Sequence, residues 1–259
     1  MQAGANAGIA DWLPNLLRYA VVALLALALE LCCRAGVIPA AVMIAPSQMF
    51  AHLGEILVSG KFNADIRGSL GNIAIASMLA VLLGFLAGLL IHALPSLRRA
   101  IEPLLTSYYA IPIFIFYPVF IVMLGVGPLP IIAIGVLQAI VAMVTSTLNG
   151  LDRIPNVMRK SARMLRMSRW RTALYIHLPA ASPYLFTGVK LAVAYAFIGV
   201  IASEFILSGA GIGYAIAYAY NNFENRDMYA LMLLVLLLAI AANMVLSAFD
   251  KRFQARRQP

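Results

Sequence analysis

Charged residues are scarce in this chain, and their scarcity excludes an ordinary soluble domain. Only 11% of the 259 residues are Asp, Glu, Lys or Arg, whereas 63% are hydrophobic and the mean hydropathy is +0.91. Globular domains carry about 25% charged residues. Acids are the scarcer sign, with 10 against 19 basic residues and a net charge of +9. The composition predicts a membrane protein whose positive charge serves orientation and anionic lipid rather than nucleic acid.

Cysteine and histidine are too few to build a redox or metal framework. Cys32 and Cys33 are adjacent, which favours neither a disulfide nor a CxxC pair. His52, His92 and His177 fall in different predicted elements, so packing or interfacial roles are favoured over ligation. We predict neither a metal site nor a catalytic residue.

A nucleotide-binding loop is also lacking. The nearest match, Gly54 to Gly60-Lys61, is one residue too long for the phosphate-binding pattern, and Phe62 stands where a hydroxyl residue is required. The later segment GAGIG follows no predicted strand and is therefore not a dinucleotide fingerprint. We expect no enzyme activity and no cofactor in this chain, so any ATP and Mg would be bound by a separate ATPase.

Long hydrophobic runs are what the chain has instead. A helix needs about 20 mostly apolar residues to cross a bilayer. Six segments qualify, namely Leu16–Cys33, Leu70–His92, Leu104–Leu124, Leu129–Leu148, Tyr184–Ile206 and Tyr229–Phe249. No Ala-x-Ala cleavage site follows the first, so we expect a retained span rather than a signal peptide. The predicted fold class is an all-α membrane protein with six transmembrane helices.

Basic residues fall mostly on one side of this arrangement. With the amino terminus inside, fifteen of the nineteen lie in or beside inner segments. The other four, Arg34, Lys61, Arg67 and Arg226, lie in outer loops. The positive-inside rule therefore predicts that both termini are cytoplasmic. The spans also contain Gly84 and Gly88, a GxxxG pair that predicts close helix–helix contact.

One inner segment, residues 149–183, is strongly basic and is patterned as two short helices. Its basic residues are Arg153, Arg159, Lys160, Arg163, Arg166, Arg169 and Arg171. In the first predicted helix the apolar stripe consists of Ile154, Met158, Ala162 and Leu165. Ser168 is expected to cap the second helix, and Pro179 to end it. The apolar face of that helix consists of Trp170, Ala173, Leu174, His177 and Leu178.

Two interpretations of this segment follow from its composition alone. An amphipathic helix pair could lie on anionic lipid headgroups. Alternatively, it could be gripped and moved by a cytoplasmic partner, since a rigid helix between two spans transmits a displacement. The spacing of its residues decides between these interpretations.

That spacing resembles the EAA motif of bacterial ABC importer permeases. The motif reads Glu-Ala-Ala, three residues, Gly, nine residues, Ile, one residue, Leu-Pro. Its positions match Lys160-Ser161-Ala162, then Arg166, Ile176 and Leu178-Pro179. Among the identities that depart from the motif, Lys160 stands at the usual Glu and Arg166 at the usual Gly.

Further stretches are similar to the same family. Pro112, Pro118, Gly125 and Gly127 match its P-x5-P-x6-G-x-G segment. The segment from Ser168 to Trp170 matches its SRW, and Glu204 with Gly211-Ile212-Gly213-Tyr214 looks like its AEM…GLGY. The resemblance covers roughly Ser69 to Arg252 and is closest to permeases for sulfonates, taurine, nitrate and related small anions.

The resemblance implies a type I importer (MetI-like) fold and a defined set of partners. Residues 1–68 would form the tail, first span and outer loop, 69–252 the core permease domain, and 253–259 a basic tail. The partners would be a second permease copy, two cytoplasmic ABC ATPases, a periplasmic or lipid-anchored solute-binding protein, and the lipid of a bacterial inner membrane. The residues expected to couple to the ATPase are Lys160, Ser161, Ala162, Arg163, Arg166, Ser168, Trp170, Leu178 and Pro179.

Polar groups and prolines within spans are the candidates for a translocation pathway, because they are costly unless they face a cavity or another helix. They are Asn72, Pro112, Pro118, Gln138, Tyr195 and Glu204. For Glu204 we expect a structural or gating salt bridge, since a carboxylate repels an anion. A secondary transporter or channel, or a membrane enzyme with histidine ligands, are the alternatives from other classes.

Overall fold

The computed structural model describes residues 5–39 and 41–255, and every regular element in those ranges is helical. The helices are α1 Ala5–Arg34, α2 Pro46–Ser59, α3 Asn63–Ala93, α4 Pro95–Tyr108, α5 Tyr117–Leu124, α6 Pro128–Asp152, α7 Asn156–Met164, α8 Arg169–Thr172, α9 Leu178–Leu207, α10 Ile212–Asn221 and α11 Asn225–Ala255. A 3₁₀ turn, Ile113–Phe116, precedes α5, and a π turn, Ala173–His177, joins α8 to α9. The chain divides into two compact units, Met1–Lys61 with Tyr218–Leu234, and Phe62–Ala217 with Val235–Pro259.

Four helices in the described ranges are long and apolar enough to cross a membrane. They are Asn63–Ala93, Pro128–Asp152, Trp170–Ile206 and Asn225–Asp250. Each contains one of the predicted spans, so these four predictions are confirmed. The first predicted span, Leu16–Cys33, lies within α1. The total of six spans stays a prediction.

The third predicted span is wrong as a single helix. Residues 104–124 divide between α4 and the segment Ile113–Leu124, and these two parts are bent by 95°. The break lies at Pro112, whose ring fixes φ and whose nitrogen donates no hydrogen bond, so the helix of α4 cannot continue through it. Pro118 is tolerated because it stands in the first turn of α5.

The helix that contains the fifth predicted span begins before that span does, because Pro179 does not end a helix as predicted. Trp170–Ile206 is one continuous helical segment, and Pro179 lies in the first turn of α9 directly after the π turn. A proline at that position interrupts no regular α-helical ladder, since the wider turn has already ended the preceding one. The second half of the basic segment, from Trp170 onward, therefore shares one helix with the fifth span.

In the larger unit, α6 packs closely against α3 and α9 through small residues. A Cβ atom built on Gly84 would lie 2.7 Å from Met143 Cβ, and one on Gly88 would lie 2.6 Å from Thr147 Cβ. The predicted GxxxG contact is thereby confirmed. From α9, Gly188 approaches Ser146 in the same way, with 2.6 Å to its Cβ. Such contacts bring helix backbones together where apolar burial alone gives little drive, as in lipid.

The smaller unit is tied together by a short polar network. Glu30 of α1 accepts hydrogen bonds from the Ser47 backbone N–H at 2.9 Å and from its hydroxyl at 2.6 Å. The α2 amino terminus has no side-chain cap of its own, so Glu30 supplies the missing acceptor. Arg34 donates to the same carboxylate at 2.6 Å.

A second network in the smaller unit centres on His52. Its Nε2 lies 2.6 Å from Asp227 Oδ1, and its Nδ1 lies 2.8 Å from Glu55 Oε2. Lys61 Nζ donates to the other oxygen of Asp227. The hydrogen bond to Asp227 raises the pKa of His52 above 6.5, because both ring nitrogens then face carboxylates that favour the imidazolium.

Candidate functional site

The basic segment begins with α7, a helix of nine residues in which Arg159 folds back onto the Leu151 carbonyl and the other charged side chains are exposed. Lys160, Ser161 and Arg163 are exposed, whereas Ala162 is 3% exposed. The predicted apolar stripe is only half buried, because Ile154 and Ala162 are covered but Met158 and Leu165 are not. Ile154 precedes α7 and Leu165 follows it, so the four residues do not share one helix face.

The turn after α7 is sharp and places Arg166 in the left-handed region. Its φ is 48°, and the Met167 N–H donates to the Ala162 carbonyl at 3.0 Å, the six-to-one bond of a Schellman motif. Glycine adopts this conformation at little cost, which accounts for the glycine that the EAA motif has at this position. Here Arg166 keeps the turn and exposes a guanidinium at its apex.

α8 starts where predicted. The Ser168 hydroxyl lies 3.4 Å from the Arg171 backbone N–H, a long cap contact, and the Ser168 carbonyl accepts the Thr172 N–H at 2.9 Å. The predicted apolar face is confirmed as a unit, since all five residues line one cavity of about 240 Å³. They are Trp170, Ala173, Leu174, His177 and Leu178. Phe85 and Leu89 of α3 line it too.

Large apolar side chains lie exposed among the charges. Val157, Met164, Leu165, Trp170 and Tyr175 are each between 72% and 85% exposed. We call these five residues, with Arg163 and Arg166, the loop surface. A groove of about 380 Å³ adjoins it, with Ser161 and Pro179 among its lining residues. Apolar residues clustered in the open among cationic ones are typical of a protein-binding surface.

Both ends of the basic segment are fixed to spans. Leu151, Ile154 and Ala181 form a buried apolar cluster that joins α6 to α9. A Cβ atom built on Gly150 would lie 3.0 Å from Tyr184 Cβ, so the two helices nearly touch here. Arg153 lies over the Tyr184 ring at 5.3 Å and donates to its hydroxyl at 3.2 Å. The segment is thus a rigid elbow rather than a flexible loop.

Glu204 is fully buried near the end of α9. The Ser69 hydroxyl donates to its Oε2 at 2.6 Å, the Gly213 N–H donates to the same oxygen at 3.2 Å, and Asn72 approaches Oε1 at 3.5 Å. In the described part of the chain the carboxylate is held by hydrogen bonds and forms no ion pair. The expected salt bridge is therefore corrected, because neutral donors from α3 and the glycine loop surround the group.

The glycine-rich segment after α9 wraps around this carboxylate. Gly211 has a φ of +102°, and a Cβ atom there would lie 2.5 Å from Glu204 Oε2. A Cβ atom on Gly213 would lie 2.7 Å from Glu204 Cβ. The Gly211 N–H also donates to Asp65 at 2.9 Å. Only glycine permits this approach, which gives a physical reason for the spacing of the segment.

The broken span ends beside this site. Gly125 and Gly127, between α5 and α6, have φ values of 79° and 150°, which L side chains rarely adopt. Gly127 and Gly211 both line a cavity of about 530 Å³, together with Asp65, Asn72 and the buried Tyr117. Among the pathway candidates, Asn72 and Glu204 therefore meet, and Pro112 and Pro118 shape the broken span that lies alongside.

Gln138 and Tyr195 lie at other contacts of the larger unit. Gln138 packs where α6 meets α9, because a Cβ atom on Gly199 would lie 3.1 Å from its Cβ. Its Oε1 is buried with no hydrogen-bond partner among the described residues. The Tyr195 ring lies 5.6 Å from that of Tyr109, just after α4.

Several polar residues of these sites escaped the sequence analysis. Asp65, Ser69 and Asn72 recur at i, i+4 and i+7, so one polar stripe on α3 was the available signal. Arg98 and Asp152 form an ion pair across 54 residues, and no local pattern predicts it. The same holds for His52 and Asp227, which are 175 residues apart.

Apolar spans, a broken helix that ends at glycine and a cationic elbow between two spans define an integral membrane protein with the core of a transport subunit. The family described as binding-protein-dependent transport system inner membrane component matches residues 80–259. The chain belongs to this family of ABC importer permeases.

Individual relatives agree with this assignment. The nitrate import permease protein NrtB of Leptolyngbya laminosa is 27% identical over 73% of this chain and 67% of that protein. The bicarbonate transport system permease protein CmpB of a Synechocystis strain is 29% identical over 60% of this chain and 55% of that protein. The chain thus spans little more than half the length of the second relative.

A solved structure gives the fold. A chain of the methionine ABC transporter MetNI, in an inward-facing conformation, superposes with a TM-score of 0.63 at 18% identity. The match covers 73% of this chain and 95% of that chain. The fold is therefore the MetI-like permease fold expected from the sequence.

Proposed function

We propose that this chain forms the translocation pathway of an importer driven by a separate cytoplasmic ATPase, and that the loop surface is where the ATPase docks. The observation that carries this proposal is the exposed mixture of Arg163, Arg166, Met164 and Trp170 on a rigid elbow between two spans. Aromatic residues, Met and Arg are enriched in protein interfaces.

The substrate is proposed to be a small anion such as nitrate, bicarbonate, taurine or another sulfonate. The relatives named for nitrate and bicarbonate support the first two, and the motif resemblance to permeases for taurine and sulfonates supports the others. The buried Glu204 belongs to the internal support of the glycine segment rather than to an anion site, because its Oε2 already accepts hydrogen bonds from Ser69 and Gly213. Selectivity for the anion then resides chiefly in the solute-binding protein.

The proposed assembly has two permease copies, two ATPase copies that bind ATP and Mg, and a periplasmic or lipid-anchored binding protein. It lies in a bacterial inner membrane with both termini and the elbow in the cytoplasm. The bias of basic residues toward one side supports this orientation. Lipid is the only other partner proposed.

Co-purification with the ATPase tests the docking assignment. The double variant Arg163→Glu/Arg166→Glu reverses two charges of the loop surface and is expected to lose the ATPase. Arg99→Glu is the matched control, because Arg99 is an exposed arginine on α4 outside the loop surface. Retention of the ATPase by the double variant, at the level of the control, would show that docking lies elsewhere.

A further inference from the structure

The end of α6 is a junction where four helices meet through charged groups. Arg98 of α4 donates to both oxygens of Asp152, at 2.7 and 2.6 Å. His92, in the last turn of α3, has its Nδ1 3.4 Å from Asp152 Oδ1, a close approach that forms no hydrogen bond. Arg159 of α7 donates to the Leu151 carbonyl at 2.8 Å. Asp152 and its neighbour thus receive contacts from α3, α4 and α7.

The ion pair has geometry that resists displacement. A guanidinium and a carboxylate joined by two parallel hydrogen bonds are fixed in orientation as well as in distance. The side chains of Arg98 and Asp152 are 29% and 35% exposed, so solvent screens the pair only partly. Arg159 adds a bond to a carbonyl that the end of a helix leaves without an intrahelical partner.

Both charges of the pair lie at the unfavourable ends of their own helices. Arg98 lies near the start of α4, where the helix dipole favours an acidic residue. The first turn of α4 contains no acidic residue. Asp152 is the last residue of α6, where the helix dipole favours a basic residue. The last turn of α6 contains no basic residue. The stability of the individual helices therefore does not explain why Arg98 and Asp152 occupy these positions. The ion pair that they form between α4 and α6 does explain it.

The position of α4 makes the pairing consequential. α4 leads into the broken span, and its bend of 95° separates it from the segment Ile113–Leu124. The elbow itself is covalently continuous only with α6 and α9. Motion of the elbow can reach α4 only through noncovalent contacts. The ion pair between Arg98 and Asp152 is such a contact, and its two parallel hydrogen bonds fix its direction.

Resting on the proposed function, we propose that Asp152 is a positioning residue for transport: it fastens the elbow to α4 through Arg98, so that ATPase movement is transmitted to the broken span. Arg159 holds α7 against the same helix end. Without the pair, the ATPase still docks on the loop surface and hydrolyses ATP, but the broken span does not follow.

The test uses the assembled importer in proteoliposomes and measures substrate moved per ATP hydrolysed. Asp152→Asn keeps the side-chain shape and removes the charge. Its transport ratio is expected to fall about tenfold, within the usual range of coupling between sites. Binding of the ATPase should stay unchanged, because Asp152 lies outside the loop surface. Glu102→Gln, which also removes an acid next to this junction but has no bond to Arg98, should keep the wild-type ratio.

The exchanged pair Arg98→Asp/Asp152→Arg provides the decisive rescue. It restores the attraction and places each charge at the favourable end of its helix. We expect the exchanged variant to recover the ratio that Asp152→Asn loses. A wild-type ratio in Asp152→Asn, or no recovery in the exchanged variant, would overturn the proposal. If Asp152→Asn fails to assemble, the exchanged variant alone decides, because it retains a pair.

The wild-type importer separates the two proposals. Absence of ATP-dependent uptake by the wild type would contradict the proposed function itself. Coupled uptake by the wild type and by Asp152→Asn alike would contradict only the role of the pair.

Discussion

The two ends of α9 use polar residues in opposite ways. At its beginning, the elbow exposes arginines and large apolar side chains and holds Arg166 in a conformation that suits glycine. At its end, Glu204 is fully buried, and glycines wrap around it so closely that no side chain fits between. The exposed side chains of the first arrangement can contact a partner protein. In the second arrangement the Glu204 carboxylate is hydrogen-bonded within the chain, so it stabilises the fold.

Gly211 offers the largest expected effect at the buried end. In Gly211→Ala the new Cβ would meet the Glu204 carboxylate, and the φ of +102° disfavours any side chain. We expect a loss of about 3 kcal/mol in the free energy of unfolding. Denaturant unfolding in detergent measures it. Gly209→Ala is the control, because a Cβ atom there meets nothing within 4 Å. Equal stability of the two variants would refute the close packing.

Removing the carboxylate should have the next largest effect. Glu204→Ala leaves the Ser69 hydroxyl and the Gly213 N–H without the oxygen that they share. A buried donor left unsatisfied costs about 2 kcal/mol. The exposed Glu102→Ala is expected to change stability by no more than about 0.5 kcal/mol. A Glu204→Ala protein as stable as that control would contradict the structural role of Glu204.

At the exposed end, two glycine substitutions should have opposite signs. Arg166→Gly relieves the left-handed conformation and is expected to stabilise the protein by about 1 kcal/mol. Arg163→Gly lies inside α7 and should destabilise it by about 1 kcal/mol. Both remove a guanidinium from the loop surface, so both should weaken ATPase binding. If Arg166→Gly binds the ATPase more tightly than the wild type while Arg163→Gly binds it more weakly, the loop surface is not the docking site.

The smallest effect concerns pH and the smaller unit. His52 has a folded-state pKa above 6.5, raised mainly by its hydrogen bond to Asp227. Its contribution to stability is therefore complete below pH 6.5 and is lost as pH rises through the raised value. Unfolding temperatures across that window should fall in the wild type and fall less in His52→Gln. A steeper fall in the variant would reverse the predicted sign.

The contrast between the two ends also explains what the sequence could predict. Helical spacing located four spans, the Ser168 cap and the shared apolar face of Trp170 and Leu174, because these depend on local pattern. Pro179 was assigned the wrong role, since its effect depends on the π turn before it. Pro112 was placed inside a single span, although it breaks the helix.

Contacts between residues far apart in the chain could not be predicted from the sequence either. Ser69 of α3 meets Glu204 across 135 residues, and Asp152 meets Arg98 across 54 residues, so neither contact follows from a local pattern. The family resemblance nonetheless marked Arg166 and Glu204 through the spacing of their motifs. The structure supplies the reasons, a left-handed turn at the one and a glycine-lined carboxylate at the other.

Uptake into proteoliposomes tests the central claim most directly. Vesicles would contain this chain with or without its ATPase, and a binding protein loaded with labelled substrate would be present on the opposite side from ATP. The account predicts uptake only with the ATPase and ATP, and its loss in Arg163→Glu/Arg166→Glu but not in Arg99→Glu. Uptake that continues without the ATPase, or that the double charge reversal leaves intact, would contradict it.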